Sequence, residues 1–347
     1  MPQNRIRMLQ NAAGRRRKKM NTNNPAEFPV IRAEHLSKRF NMEAGFFAKN
    51  RKTVYAVNDV SFSVERGQTY GLVGESGCGK TTTARLLIKM YGLSGGRILF
   101  CPENSSAAQD VSSFNRKQLR KYRENVKYIF QDPARSLNPR MTVLDVLTAA
   151  LRYSTKWEGG ENARALAEKT IREVGLSEDD LGRKPAEFSG GQRQRISIAR
   201  GLIMSPELLI CDEIVSALDV SVQGQIINLL QDLRSGRNLS LLFITHDLRI
   251  ACYFCDTIGV MYRGMIVEEA PAAELYRTAV HPYTKLLFDG ALGKLTSANT
   301  EVKTVLEEEN CCPFAHRCPF AEEKCLEEIP EMRTGEDGHK VRCRLSV

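Results

Sequence analysis

Gly74-Glu75-Ser76-Gly77-Cys78-Gly79-Lys80-Thr81 stands between a strand pattern over Gly67–Gly74 and a helical pattern over Thr81–Met90. The spacing is G-x-x-x-x-G-K-T, in the strand–loop–helix context that gives this motif its meaning. Its glycines permit a tight turn whose backbone N–H groups gather around phosphate oxygens. The helix that follows adds the positive end of its dipole. Lys80 is then expected at the β- and γ-phosphates, the Thr81 hydroxyl on Mg²⁺, and Thr82 beside them at the helix start.

Outward from this loop, apolar strand patterns alternate with helical ones. Tyr55–Val64 and Val126–Phe130 read as strands, Glu161–Val174 and Gly190–Met204 as helices. Glu207–Asp212 and Leu241–Thr245 read as buried strands with a helix over Val222–Leu233 between them. Thr257–Glu268 reads as a hairpin turning at Arg263-Gly264. Between Gln131 and Gly201 only helical patterns occur, which predicts a helical lobe. The alternation implies an α/β fold with a largely parallel sheet. The run Leu208-Leu-Ile-Cys211 ends in Asp212 and Glu213, which strand alternation sends different ways. Asp212 suits Mg²⁺ and Glu213 suits a water held against the γ-phosphate.

At Phe188-Ser189-Gly190-Gly191-Gln192-Arg193-Gln194-Arg195 the chain resembles the signature motif of ABC (ATP-binding cassette) ATPases. Gln131 looks like that family's Q-loop, Ser216-Ala-Leu-Asp219 its D-loop, and His246 its switch histidine. The resemblance covers residues 28–290 and implies a RecA-like core with an antiparallel β subdomain and a helical subdomain near 132–200. It implies ATP hydrolysis with Glu213 as general base, His246 on the γ-phosphate, and Gln131 sensing Mg²⁺ and water. Two cassettes would sandwich ATP, so that Ser189, Gly190, Gly191, Gln192 and Asp219 serve the partner's nucleotide. Phe40 fits best as the aromatic stacked on adenine, with Phe46 and Phe47 as rivals. Ile214 departs from the family, which usually has proline there; isoleucine is expected to take the same extended backbone.

Ser136-Leu-Asn-Pro139, Val220-Ser-Val-Gln223 and His281-Pro-Tyr-Thr284 resemble the oligopeptide/dipeptide branch. That resemblance implies an importer of peptides, with nickel, oligosaccharides and other small solutes carried by close relatives. It implies a second ATPase subunit, two transmembrane permease subunits and an extracytoplasmic substrate-binding protein. The place of work is then the cytoplasmic face of the membrane. A non-transport ABC ATPase acting on nucleic acid is the rival class. Its DNA-repair members carry a long coiled coil and its translation members two cassettes, and this sequence has neither.

After a linker over 291–310, the segment 311–347 resembles the same branch's cysteine-rich C-terminal extension. Cys312, Cys318, Cys325 and Cys343 supply four thiolates, the number for a [4Fe–4S] cluster or a tetrahedral zinc. A set without metal is the third possibility, and Cys311 is the spare. Cys252 and Cys255, a C-x2-C pair, read as core packing.

The 347 residues carry a net charge of +9, and the first 26 hold seven basic residues and no acid, so the rest is nearly balanced. Residues 1–27 read as a solvated tail. No apolar run approaches the ~18 residues that span a bilayer, and no secretory leader is read at the start. The chain is therefore expected in the cytosol, reaching a membrane only through partners.

Overall fold

Three apolar runs, Thr69–Val73, Leu208–Asp212 and Ser240–Thr245, are buried at every position. Strands covered on both faces belong in a parallel sheet flanked by helices. The computed structural model describes residues 28–42, 52–103, 105, 107–292 and 310–345. The basic tail, Phe46, Phe47 and most of the expected linker lie outside the described residues.

The strands are β1 (Ile31–Met42), β2 (Lys52–Val64), β3 (Thr69–Val73), β4 (Gly95–Phe100), β5 (Gln109–Asp110), β6 (Val126–Ile129), β7 (Leu208–Asp212), β8 (Ser240–Thr245), β9 (Thr257–Tyr262), β10 (Met265–Pro271), β11 (Arg333–Thr334) and β12 (Lys340–Val341). The larger sheet has the order β11-β12-β10-β9-β3-β8-β7-β6, and the smaller β2-β1-β4-β5. From β9 to β6 all neighbours are parallel. The pairs toward β11 are antiparallel, as is the whole smaller sheet. The β9–β10 turn is the predicted Arg263-Gly264. Both residues have positive φ, 41° and 83°, as a two-residue type I′ hairpin requires.

The helices are α1 (Lys80–Leu87), α2 (Arg116–Asn125), α3 (Pro133–Ser136), α4 (Val143–Thr148), α5 (Gly160–Glu173), α6 (Gly190–Leu202), α7 (Val220–Arg237), α8 (Leu248–Phe254), α9 (Ala272–Thr278), α10 (Pro282–Ala291) and α11 (Glu323–Glu327). α3 to α6 form a lobe without strands among the described residues, as the helical patterns there predict. α7 runs past the predicted Leu233 to Arg237, because its stop is Asn238 in the left-handed region at φ 50°.

β7 divides two cores by its alternation. Leu208 and Ile210 pack with the smaller sheet and α1, while Leu209 and Cys211 pack with the helical lobe and α7. Cys255 fills the space beside Gly71, where an added Cβ would meet its Sγ at 2.7 Å. Its thiol and that of Cys252 are raised by burial, that of Cys252 to about 12. The packing reading of this pair stands.

The C-terminal residues extend the larger sheet through β12, with Glu268 opposite Val341 and Glu269 opposite Lys340. Glu268 is fully buried. Its carboxylate accepts the N–H groups of Val280 (2.7 Å) and His281 (3.2 Å) and meets His339 Nε2 at 2.8 Å. His281 caps α10, its Nδ1 accepting the N–H of Tyr283 at 3.1 Å.

Burial pulls the His281 imidazole down to about 4 from its ordinary 6.5. The unfolded chain takes up this proton first as pH falls, so the neutral ring's contribution is complete above about pH 7 and is lost between 6.5 and 4. About 2 kcal/mol of it is gone by pH 5. His281→Asn keeps a good helix cap and should flatten the acid limb of stability by this amount. Urea melts at pH 7.5 and pH 5 check it, and equal slopes for the two proteins would count against this assignment.

Candidate active site

The register of the parallel strands brings their carboxyl ends level. Val73 pairs with Thr245, Ile244 with Asp212, and Cys211 with Ile129. The residues that follow these ends are Gly74, His246, Glu213 and, one further on, Gln131. Open α/β sheets bind ligands at this edge. Four sequence motifs spread over 172 positions, from Gly74 to His246, therefore meet at one place.

The phosphate loop is wedged between β2 and the β9–β10 hairpin. An added Cβ on Gly74 would lie 2.1 Å from the Met261 carbonyl, and one on Gly79 would lie 2.3 Å from that of Ala56. Gly79 also has φ 109°. The hairpin turn holds the loop, with the Gly264 N–H donating to the Cys78 carbonyl at 2.8 Å. Lys80 is 3% exposed, and its ammonium is bonded to the carbonyls of Gly74 (2.8 Å) and Glu75 (2.9 Å). Gly77, at φ 79°, has open space around it, and Ser76 is exposed. Cys78 is buried behind the loop, its thiol raised by that burial. Thr82 is partly buried on the first turn of α1.

Glu75 is turned the other way. Its N–H donates to the Tyr283 hydroxyl at 2.9 Å, and its carboxylate pairs with Arg317 at 3.1 Å.

Thr81 Oγ1 donates to Asp212 Oδ1 at 3.0 Å, and the Tyr128 hydroxyl donates to Asp212 Oδ2. Burial raises the Asp212 carboxyl despite these two bonds. Glu213 lies at φ 48°, which turns its side chain away from that of Asp212. Its Oε2 accepts from Gln131 Nε2 at 2.9 Å. Its Oε1 faces the Lys80 ammonium and His246 Nδ1, each at 3.8 Å. The residue after Glu213 is not in the extended run expected for it. Ser216 N–H bonds back to the Glu213 carbonyl at 3.1 Å, so Ile214 takes the first central position of a turn and is 2% exposed. Proline is favoured at that turn position, which accounts for its usual presence there.

Phe40 lies on β1 of the smaller sheet. It pairs with Val54, two residues before the Ala56 carbonyl that abuts Gly79. Its ring is 36% exposed, edge-on to Tyr91 at 5.5 Å and under the Lys38 ammonium.

Ser189 caps α6 with a capping box. Its Oγ accepts the Gln192 N–H (3.3 Å), and Gln192 Oε1 accepts the Ser189 N–H (2.9 Å). Gly191 lets this helix start close against α7, since a Cβ there would meet Val222 Cγ1 at 2.7 Å. Gly190 has ordinary clearance, 3.8 Å from Leu218. Ser189 and Asp219 are exposed, and Val220 is 83% exposed. Among the described residues, no hydrogen bond joins Ser189–Gln192 to the phosphate loop of the same chain.

Cys312, Cys318, Cys325 and Cys343 line one cavity together with His281 and Phe314. Among the described residues, no group of three or more His, Cys, Asp or Glu side chains is placed to hold a single metal ion. Burial pushes the Cys312 thiol up to about 11 and raises those of Cys318 and Cys343.

The contacts of Tyr128, Tyr283 and Arg317 escape a reading of the sequence, although Tyr283 stands in the His281–Thr284 run quoted above. A tyrosine in an alternating strand carries no signature, and the Arg317–Glu75 pair spans 242 positions.

Comparison with known proteins agrees with this geometry. A family profile described as "ABC transporter" matches residues 57–216, and one described as "Oligopeptide/dipeptide transporter, C-terminal region" matches 267–325. The chain is 41% identical over 328 residues to the oligopeptide transport ATP-binding protein AppF of Bacillus subtilis, covering 91% of this chain and 97% of the relative. It is 40% identical to a probable peptide ABC transporter ATP-binding protein, y4tS, of Sinorhizobium fredii, covering 91% and 90%. Among solved structures it resembles the ATP-binding cassette MJ0796, captured as a dimer in a post-hydrolysis state bound to ADP and phosphate. The TM-score is 0.59 at 25% identity, covering 70% of this chain and 98% of that one. The register, the loop, the two family matches and the relatives at 40–41% identity converge: this chain belongs to the ATP-binding subunits of ABC transporters, in the oligopeptide/dipeptide family.

Proposed function

We propose that this subunit hydrolyses ATP to power the import of di- or oligopeptides. The observation that carries the reading is the meeting of Lys80, Gln131 and His246 beside the phosphate loop, around the two carboxylate oxygens of Glu213. ATP is the substrate. Lys80 exchanges its bonds to the Gly74 and Glu75 carbonyls for phosphate oxygens, and the loop amides after Glu75 surround the rest. Thr81 and Asp212 are the residues that would hold Mg²⁺, which neutralises phosphate charge when bound. Their hydroxyl and carboxylate are hard oxygen donors, as that ion prefers. Glu213 acts as general base for water, oriented by Gln131 and His246. Phe40 is the aromatic that would stack on the base.

The exposed start of α6 supports a partner. A helix N-terminus is an anion site, and among the described residues this one makes no hydrogen bond to the phosphate loop of its own chain. A second cassette, alike or different, supplies its counterpart, and Asp219 and the exposed Val220 lie on the surface it meets. A groove lined by Leu119, Arg123, Lys127, Ala150, Tyr153 and Met204 separates the helical lobe from the core. It is basic on one wall and suits a helix presented by a permease subunit. Among the described residues no helix is long and apolar enough to cross a membrane. Permease subunits thus hold the protein at the cytoplasmic face, where an extracytoplasmic binding protein delivers cargo from the other side. Peptide cargo follows the names of the relatives.

Cys312, Cys318, Cys325 and Cys343, around one cavity, are the residues that would hold a [4Fe–4S] cluster. When bound, such a cluster supplies a structural cross-link rather than a step in hydrolysis. Iron and sulfide analysis of protein purified without oxygen tests this, and absence of both would remove the cluster.

Glu213→Gln in the assembled transporter should lower ATP turnover by about 10²–10⁴ while ATP still binds. Normal turnover would contradict the base assignment. Tyr128→Phe removes one of two partners of the buried Asp212 and should cost about 1–3 kcal/mol in a urea melt. An unchanged midpoint would show that the bond contributes nothing.

A further inference from the structure

Glu75 places a carboxylate on the second position of a loop built to receive a polyphosphate, where like charge opposes binding. Each of its polar groups is engaged. Its carbonyl accepts from Lys80 (2.9 Å), its N–H donates to Tyr283 (2.9 Å), and its carboxylate is held by Arg317. The Arg317 grip is two-toothed. Nη1 reaches Oε2 at 3.1 Å and Oε1 at 3.3 Å, and Nη2 reaches Oε1 at 3.3 Å. Nη1 also donates to the Tyr262 hydroxyl at 3.4 Å, and the guanidinium lies 5.6 Å from the Phe314 ring. Tyr262, Tyr283 and Phe314 pack on one another at 4.4–5.5 Å between ring centres, so the arginine emerges from a stiff aromatic base. Arg317 closes the short turn Ala315–Arg317, whose Ala315 N–H bonds to the Cys312 carbonyl at 3.0 Å. The next residue is Cys318, so one turn of chain separates the cysteine cavity from the phosphate loop.

We propose that Arg317 is a positioning residue of the nucleotide site: it neutralises and anchors Glu75, and through it the C-terminal segment sets the affinity of the loop for ATP. The inference rests on the loop being the ATP site. Loss of the guanidinium leaves a net negative charge beside the phosphates, whereas loss of both charges restores the balance. A purely structural bond predicts the opposite for the pair, since removing both partners breaks it just as fully.

The test is calorimetric titration of Mg-ATP into the full chain, with circular dichroism as a check of folding. Arg317→Gln should weaken ATP about tenfold. Glu75→Gln should tighten it several-fold, and the double variant should return close to the wild-type value. A double variant as weak as Arg317→Gln, or Arg317→Gln binding as wild type does, overturns the proposal. If Arg317→Gln does not fold, Glu75→Gln alone decides, and affinity that is unchanged or lower overturns it. Failure of every form to bind ATP, wild type included, speaks instead against the loop as the ATP site.

Discussion

Parallel pairing in one register is the constraint on which the rest depends. β6, β7, β8 and β3 end level, so the residues just past their ends share one edge of the sheet. A slip of one residue would reverse every side chain between the two cores. Leu208 and Ile210 would then change places with Leu209 and Cys211. Burial on both faces thus fixes the chemistry at the strand ends. Glu213 can face Lys80, Gln131 and His246 only because the cores hold β7 and β8 in place.

The loop itself is shaped by what surrounds it. Gly74 and Gly79 are pressed against carbonyls of β9 and β2, and no side chain fits at either. The β9–β10 turn adds a hydrogen bond to Cys78. Lys80, buried with a charge, is satisfied by two of the loop's own carbonyls. A buried ammonium needs such partners. The signature end of α6 is finished differently. Its capping box is complete, yet Ser189 stays exposed, so its remaining N–H groups and its dipole face outward.

Much of this was legible in the residues. Lys80, Asp212 and Glu213 stand out by the loop pattern and the acidic strand end, and Gln131 and His246 by the resemblance of their motifs; the structure brings Lys80, Gln131 and His246 to Glu213. The hairpin at Arg263-Gly264 and the helical lobe followed from turn chemistry and from period. What stayed hidden depends on distance in space rather than in sequence. Tyr128 reads as one more strand aromatic until Asp212 is seen beside it. Arg317 reads as part of a cysteine loop until the sheet, lengthened by β12, brings that loop to Glu75. Ile214 is expected to take the extended backbone of the proline usual in the family, whereas the Ser216 N–H bonds back to Glu213 and makes a turn there.

The central claim is that this loop, with its lysine, holds the phosphates of ATP. Its most direct test is the dissociation constant of Mg-ATP for the full chain against that of Lys80→Ala, both shown to be folded. Loss of a charge-assisted contact predicts roughly 10- to 100-fold weaker binding in the variant. Equal affinity for the two proteins would contradict the account.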